Sequence, residues 1–505
     1  MKRIFTCTIL VIGLSVVASN TVYGQQNKKA TACDLKSDMR KLWEDHIIWT
    51  RNVIFNIIDE LPGTTEAVNR LLQNQVDIGN AIKPYYGENA GNELTALLHD
   101  HITIAADLLT ALKNDNTPPF GDTPAFTTAY AAWVANADAI AALLSSVNPN
   151  WPLAEMTAMM HEHLAATGAE ALARKNANYP ADVTAFDNVH IQILAMADML
   201  TEGIVKQFPN MFSGCPLKDF KKTTSCDLKS AMRKLWEDHI TWTRNVIFNI
   251  IDDLPGTTEA VNRLLQNQVD IGNAIKPYYG ESAGNQLTAL LHDHITIAAD
   301  LLTALKNDNT PPFGDTPAFT AAYGAWVTNA DAIAALLSSV NPNWPLEEMK
   351  MMMHDHLEAT GAEALARKNA NYAADVTAFE NVHIQILAMA DMLTDGIVKQ
   401  FPNMLGGCRQ TNSREKATTT RIIVLKQNSP NPFNDKTIIS YSIPENIKEA
   451  QIVIFDARGI MIKKFDIRTK GEGSITFYPP ALSKGIFTYS IIADGELIST
   501  RKMIR

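Results

Sequence analysis

Hydrophobic residues recur every three or four positions through most of the first 400 residues, a spacing that predicts amphipathic helices. Clusters of Pro, Gly and Asn interrupt this pattern at intervals and mark the turns between helices. Between 33 and 215 the pattern predicts six helices, at 35–60, 65–82, 91–113, 124–147, 152–173 and 181–208. Neighbouring helices joined by short turns pair into three αα-hairpins, so we expect a six-helix bundle.

The helical pattern occurs twice along the chain. Residues 33–215 align without a gap with residues 226–408, and only about one position in ten differs. Such near-identity indicates a tandem duplication. We therefore predict two consecutive six-helix bundles of the same fold.

The pattern changes after residue 408. Residues 409–420 are polar and are predicted to form a linker, and residues 421–505 contain short runs in which hydrophobic and polar positions alternate. The clearest runs lie at 437–442, 451–456, 474–478 and 487–493. The predicted fold class is therefore mainly α with a C-terminal all-β domain, a small Ig-like β-sandwich of about seven strands.

The N-terminus has the features of a signal peptide. Lys2 and Arg3 precede an apolar run at 4–17, and small residues come before a cleavage point at Gln25. The run is shorter than the span of about 20 residues that crosses a bilayer. We expect residues 1–24 to direct Sec export to the periplasm and to be removed, and we expect no transmembrane segment in the mature chain.

Four cysteines remain after that cleavage, which predicts disulfides in an exported protein. Cys33 and Cys226 open the two repeats, and Cys215 and Cys408 close them. Pairing within each repeat would give Cys33–Cys215 and Cys226–Cys408. The alternative pairs Cys215 with Cys226 and leaves Cys33 for Cys408.

The charge of the chain excludes one class of partner. The formal net charge is −10 and no basic stripe is present. Because nucleic-acid binding needs a concentrated positive surface to neutralise phosphates, we expect no nucleic-acid partner.

Four motifs in the last 80 or so residues resemble the type A sorting domain of type IX secretion substrates. They are Gln-Asn-Ser-Pro-Asn-Pro-Phe-Asn at 427–434, Ile-Phe-Asp-Ala-Arg-Gly at 454–459, Leu-Ser-Lys-Gly-Ile-Phe at 482–487 and Arg-Lys-Met-Ile at 501–504. The resemblance implies recognition by the outer-membrane secretion machinery, often with cleavage of the tail. It also implies that the protein is secreted or lies on the outer cell surface.

The helical repeats resemble a poorly characterised bacterial all-helical family. The resemblance lies in Trp-Glu-Asp-His at 43–46, Arg-Leu-Leu-Gln-Asn at 70–74, Lys-Pro-Tyr-Tyr-Gly at 83–87 and Asn-Ala-Asp at 136–138. Some members carry transferase or kinase names. The chain has no Walker-type phosphate loop, no Gly-x-Gly-x-x-Gly and no nucleophile elbow, so the resemblance implies a fold more than an activity.

All twelve histidines lie in the repeats, six in each copy. Helical projection places four histidines of each copy on apolar helix faces. We expect their imidazoles to converge from several helices in a site suited to zinc, copper or iron. The predicted ligands are His46, His101, His163 and His190, with His239, His294, His356 and His383 in the second copy. Aspartates at helix midpoints are predicted to support them: Asp77, Asp138, Asp198, Asp270, Asp331 and Asp391. The competing interpretation is that each histidine only bonds a neighbouring helix end or carboxylate.

These patterns favour a secreted or cell-surface tandem helical protein that binds a metal ion or a small ligand and is not an enzyme. Duplication supports binding, because two copies raise avidity for a repeated target. Two alternatives stay open. One is a metal-dependent enzyme with a His/Asp site in each bundle, and the other is a structural or adhesion module of the cell surface.

Overall fold

The computed structural model describes residues 30–213, residues 223–406 and most of the β-rich tail between 424 and 504. The predicted signal peptide (1–24), the linker (409–420), Cys215 and Cys408 lie outside the described residues. Contacts divide the chain into two units, residues 1–408 and 409–505. The prediction of a mainly helical protein with a C-terminal β domain is confirmed.

The helices of each repeat fall into five long ranges, the second of which is divided by a glycine. The first repeat contains α1 (Ala32–Ile58), α2 (Thr64–Asn114), α3 (Pro124–Val147), α4 (Leu153–Lys175) and α5 (Tyr179–Gln207). The second contains α6 (Ser225–Ile251), α7 (Thr257–Asn307), α8 (Pro317–Val340), α9 (Leu346–Lys368) and α10 (Tyr372–Gln400). Helix ends follow local chemistry: Thr31 and Asp34 form a capping box at α1, and α3 starts with Pro124 at its first turn.

The ranges of α2 and α7 each contain two helices, which correspond to the second and third predicted helices, so each repeat has six. The two halves of α2 fold back on each other, because Gly79 lies against the carbonyl of Gly91 and the side chain of Thr95. Pro84 lies inside α2, and Gly87 has a left-handed φ of 83°. Only glycine adopts this conformation readily, and the helix resumes directly after it. The sequence marks this break correctly, but the chain turns at a single residue instead of forming a loop.

The two repeats pack against each other in one compact unit. Contacts between the repeats come in pairs such as the following, in which a contact from the first repeat to the second has its equivalent from the second to the first. The ring of Trp49 meets Phe379 edge-on at 5.7 Å between centroids, and Trp242 meets Phe186 at the same distance. Because these contacts have equivalents, the duplication behaves as a dimer with an approximate two-fold axis inside one chain.

Among the described residues, one disulfide bond joins the two repeats. Cys33 bonds Cys226, with the Cα atoms 5.7 Å apart. The predicted pairings Cys33–Cys215 and Cys226–Cys408 are therefore wrong for Cys33 and Cys226. The starts of α1 and α6 meet near the approximate axis, which the order of cysteines along the chain does not reveal.

The tail is a sandwich of two antiparallel sheets. Its strands are β1 (Val424–Leu425), β2 (Thr437–Ile443), β3 (Ala450–Asp456), β4 (Met461–Ile467), β5 (Gly471–Phe477), β6 (Ile486–Ala493) and β7 (Glu496–Ile504). One sheet has the order β1-β2-β5 and the other β4-β3-β6-β7. Side chains from both sheets, including Ile439, Phe477, Ile452 and Tyr489, share one core. The predicted runs of alternation coincide with β2, β3, β5 and β6.

One helix of the described residues, α3, is long and apolar enough to cross a membrane by length and composition. Its buried side chains, among them Trp133, Ile140 and Leu144, pack into the core of the first repeat.

Candidate functional site

The eight predicted histidine ligands are all buried, but they form two kinds of cluster. His46, His101 and His163 meet in the first repeat, and His239, His294 and His356 meet in the second. We call these the first and second histidine trios. His190 and His383 lie in a separate cluster between the repeats.

In each trio the imidazoles come from three different helices. In the first, His46 on α1 and His163 on α4 have their Nε2 atoms 3.4 Å apart. The ring of His101 on α2 stacks near His163 at 6.4 Å between centroids. The second trio repeats this arrangement, with centroid distances of 5.5 Å and 6.4 Å. The structure thus brings together three of the four predicted histidines of each repeat.

The orientation of His101 is set by an amide. Asn136 Nδ2 donates to the carbonyl of Leu97 at 3.0 Å, so its Oδ1 is left to accept from His101 Nδ1 at 2.8 Å. Nδ1 therefore carries the proton and Nε2 is a bare lone pair. That Nε2 is buried without a hydrogen-bond partner. This is the tautomer and support that metal-bound histidines commonly have.

Other amides surround the first trio. Gln75 Nε2 lies 3.3 Å from His46 Nδ1 and donates to the carbonyl of Leu71 at 2.8 Å. The hydroxyl of Thr167 is buried and has no hydrogen-bond partner. The polar surroundings of the trio are thus amides and a hydroxyl, with no carboxylate among these contacts.

The trios hold neutral imidazoles at physiological pH. Burial, with the neighbouring histidines adding to it, lowers the pKa of His46 well below its usual value. Burial also lowers the pKa of His101 to about 3 and that of His163 to about 4. In the second trio the pKa of His294 falls to about 4 and that of His356 to about 3 for the same reason. Neutral imidazole is the form that binds metal ions.

A cavity of ≈ 20 Å³ lies beside the second trio, lined by His239, His294, His356 and Thr360 among others. A space of about 10–15 Å³ accommodates one water-sized body. The cavity is therefore the right size for an ion or a water molecule and too small for an organic ligand. In the part of the chain that the structure describes, no group of three or more His, Cys, Asp and Glu side chains is arranged, as it stands, to hold a metal ion.

His190 and His383 belong to what we call the central cluster, which also contains Glu44, Asp45, Glu237 and Asp238. His190 on α5 contacts Glu44 Oε1 through Nε2 at 2.7 Å and Asp238 Oδ1 through Nδ1 at 2.9 Å. His383 on α10 contacts Glu237 Oε1 through Nε2 at 2.8 Å, and its Nδ1 lies 3.0 Å from Asp45 Oδ1. Each histidine thus bridges carboxylates of both repeats.

The electrostatics of the central cluster are opposite to those of the trios. Burial opposes protonation of His190, but Asp238 and Glu44 outweigh it and raise the pKa of His190 to about 9. Asp45 and Glu237 likewise raise the pKa of His383 to about 10 against burial. Burial and the neighbouring Glu44 raise the pKa of Glu237 to about 8. Histidine is neutral in the trios and charged in the central cluster, because only the central cluster has carboxylate partners.

The structure does not bring the predicted supporting aspartates to the histidine trios. Asp198 bonds Arg40 through two oxygens at 2.7 and 2.6 Å, and Asp138 accepts from the exposed His161 at 2.8 Å. Asp77 accepts from Gln73. Their counterparts Asp391, Asp331 and Asp270 contact Arg233, His354 and Gln266 in the same way.

Asn136 and Gln75 instead support the trio, and the sequence contains a signal for one of them. Asn136 belongs to the Asn-Ala-Asp signature at 136–138, where attention falls first on the aspartate. An asparagine in the middle of an apolar helix face needs a hydrogen-bond partner, and a facing histidine supplies it. Glu44 and Glu237 carry no comparable signal, because a Glu-Asp pair on a helix most simply indicates a solvated face.

Fold and sites together define an exported protein with a helical unit that contains the buried histidines and a β-sandwich tail. The tail identifies the export route, because residues 429–505 match the family of secretion system C-terminal sorting domains. The predicted resemblance to the type IX sorting domain is confirmed. The protein is therefore secreted or lies on the outer cell surface. A search of curated proteins finds no match to the chain.

Proposed function

We propose that this type IX substrate is a metal-binding protein whose helical unit holds one transition-metal ion in each histidine trio. The observation that carries the proposal is that three neutral imidazoles face one another in a buried space, where the Nε2 lone pair of His101 has no hydrogen-bond partner. An unpartnered buried acceptor costs about 1–3 kcal/mol, which a bound cation would recover.

The spacing of the ring nitrogens supports an ion between them. Two nitrogens bound to one tetrahedral zinc at about 2.05 Å lie about 3.3 Å apart. His46 Nε2 and His163 Nε2 are 3.4 Å apart. His101 would complete the set by turning its Nε2 towards this ion. The buried hydroxyl of Thr167, one helical turn from His163, would provide a fourth polar group.

Binding fits the site better than catalysis. A catalytic zinc keeps one coordination position open to substrate. The trio histidines are 2 % exposed and the cavity beside the second trio holds only an atom-sized guest. Two buried sites per chain suit capture or storage of an ion, or its use as a structural support.

Zinc loading of the mature chain tests the proposal. After zinc loading and desalting, the double variant His101→Ala/His294→Ala should retain about two fewer zinc ions per chain than the unaltered protein, because each trio loses one of its three imidazoles. Elemental analysis by mass spectrometry measures this difference, and circular dichroism checks that the helices persist.

The matched control is His99→Ala/His292→Ala, since these neighbouring side chains are 54 % and 55 % exposed. The control should keep the zinc content of the unaltered protein. Equal zinc content in the trio variant and the control would overturn the proposal.

Removal of residues 421–505 should strand the helical unit in the periplasm. The sorting domain is the part that the type IX machinery recognises, so the truncated chain should be lost from the cell surface and medium. Immunoblots of cell fractions from the producing bacterium measure the distribution. The point variant Lys463→Ala in an exposed part of β4 serves as control, and truncated protein that reached the surface as fully as the control would contradict the expectation.

A further inference from the structure

A groove of ≈ 540 Å³ opens on the β-sandwich tail, near the point where β4 ends and the chain passes to β5. Gln451 on β3 lies in its lining between two cross-strand partners, Asp466 on β4 and Ile492 on β6. Directly opposite residues of an antiparallel sheet point to the same face. The next residue of β3, Ile452, is 0 % exposed in the core between the sheets. The groove therefore lies on the outer face of the four-stranded sheet.

Most of the side chains around this groove are charged. They are Lys448, Glu449, Lys464, Asp466, Arg468 and Lys470, so four cations stand against two carboxylates. Lys464 and Asp466 pair at 3.5 Å, but they are 49 % and 68 % exposed. Arg468 is exposed and forms no ion pair with another of the described residues. These cationic groups are therefore accessible to a ligand from solution.

The tail as a whole is basic, although the chain is acidic. Residues 421–505 contain 13 Lys and Arg residues against 8 Asp and Glu residues, a net charge of +5, whereas the whole chain carries −10. The groove therefore lies in the positively charged part of the sequence. A local excess of positive charge raises the concentration of anions at a surface and speeds their binding. We therefore expect the ligand of the groove to carry negative charge.

We propose that this groove binds an acidic saccharide, a short chain of sugar units that carry carboxylate groups. Lysine and arginine side chains donate strong, charge-assisted hydrogen bonds to carboxylates. The carboxylates of Glu449 and Asp466 and the amide oxygen of Gln451 can accept hydrogen bonds from hydroxyl groups, which sugar units also supply. This site lies in the tail and does not depend on the histidine trios.

The mixture of charges favours a saccharide over other anions. A ligand that offers only anionic acceptors, such as a run of phosphates, would be repelled by Glu449 and Asp466. A ligand with hydroxyl donors beside its anionic groups matches both kinds of side chain. The half-buried Ile492 offers apolar surface to the C–H face of a sugar ring.

The size of the groove agrees with a ligand of this kind. Its volume of ≈ 540 Å³ lies within the range of about 300–1,000 Å³ that is usual for sites of organic ligands. A single inorganic ion would leave most of this space to water. The groove therefore fits a short saccharide better than a free ion.

Calorimetric titration of the full mature chain with hexagalacturonate tests the inference. The unaltered chain should bind the acidic saccharide and should not bind the neutral maltohexaose. In the variant Lys464→Gln/Arg468→Gln the affinity should fall about tenfold or more, because two cationic donors are lost. The matched control is Lys436→Gln/Lys463→Gln, which removes two exposed cations outside the groove lining and should bind as the unaltered chain does. Circular dichroism checks that all variants keep their fold.

A peptide probe separates recognition of a saccharide from attraction of any anion. Capped hexaglutamate carries the same number of carboxylates as hexagalacturonate but no hydroxyl groups, so it should bind about tenfold more weakly or less. Asp466→Asn should reduce this preference, because the amide is a weaker acceptor for sugar hydroxyls than the carboxylate. The inference fails if the unaltered chain does not bind hexagalacturonate, if hexaglutamate binds equally well, or if the groove variant and its control bind alike.

Discussion

Replacement of Arg51 by alanine is expected to lower the free energy of unfolding of the helical unit by about 3–5 kcal/mol, because it removes the cation paired with buried Glu170 and leaves buried Asp182 with only the longer contact to Arg174 at 3.5 Å. Arg51 Nη1 lies 2.5 Å from Glu170 Oε1 and 2.9 Å from Asp182 Oδ1, and all three side chains are buried. Nη2 donates to the second oxygen of Asp182 at 3.1 Å.

The guanidinium of Arg51 also joins the repeats. Its Nε donates to Asn245 Oδ1 of the second repeat at 3.1 Å, and its Cζ lies 4.8 Å from the ring centroid of Phe186 and 5.1 Å from that of Trp242. Arg244 makes the equivalent contacts with Glu363, Asp375 and Asn52. We therefore expect Arg244→Ala to cost as much as Arg51→Ala.

Chemical denaturation of the oxidised mature chain, followed by circular dichroism, measures the effect. Lys113→Ala is the matched control, because it also removes a cation from a carboxylate but at the surface, where Lys113 pairs with the exposed Glu60 at 2.7 Å. Exposed pairs contribute about 0–1 kcal/mol. An Arg51→Ala unfolding midpoint equal to that of the control would contradict the structural role assigned to this residue.

Loss of the bond between Cys33 and Cys226 should destabilise the helical unit by roughly 5 kcal/mol on the chain-entropy model, because the bond closes a loop of 193 residues. The variant Cys33→Ser/Cys226→Ser removes both thiols at once. Its midpoint of denaturation should fall to that of the unaltered chain after reduction of this bond.

Peptide mapping under non-reducing conditions checks the pairing itself. A protease digest of natively exported protein should contain the Cys33 peptide joined to the Cys226 peptide. A Cys33 peptide joined to that of Cys215 would show that the bond closes the first repeat instead. The participation of Cys215 and Cys408 in disulfides stays a prediction.

Much of the helical architecture follows from local sequence. The ends of α3 agree with the predicted 124–147, because Thr123 caps the helix and Pro124 occupies its first turn. The strands of the tail agree as well, since alternation directly reflects one buried and one exposed face. Gly87 shows the limit of such local signals, because a break in the pattern does not say whether the chain turns over several residues or at a single one.

The histidine sites are only half visible in the sequence. Helical projection puts His46, His101, His163 and His190 on buried faces, as the structure has them. Projection does not say which helix packs against each of these faces. The sequence therefore could not show that His190 belongs to a different cluster from the other three histidines. Its partners Glu44 and Asp238 come from α1 and from α6 of the other repeat.

By itself, the sequence determined the export route, the duplication, the helical and β-rich halves of the chain and the burial of the histidines, because each of these depends on local pattern or on a motif. The tertiary structure decided which histidines share a cluster, which cysteines bond, and that charged residues of the two repeats complete each other. These features depend on contacts between residues far apart in the chain, and near-identical repeats offer each residue two equivalent partners in sequence. Only the packing of the repeats about their approximate two-fold axis selects between them.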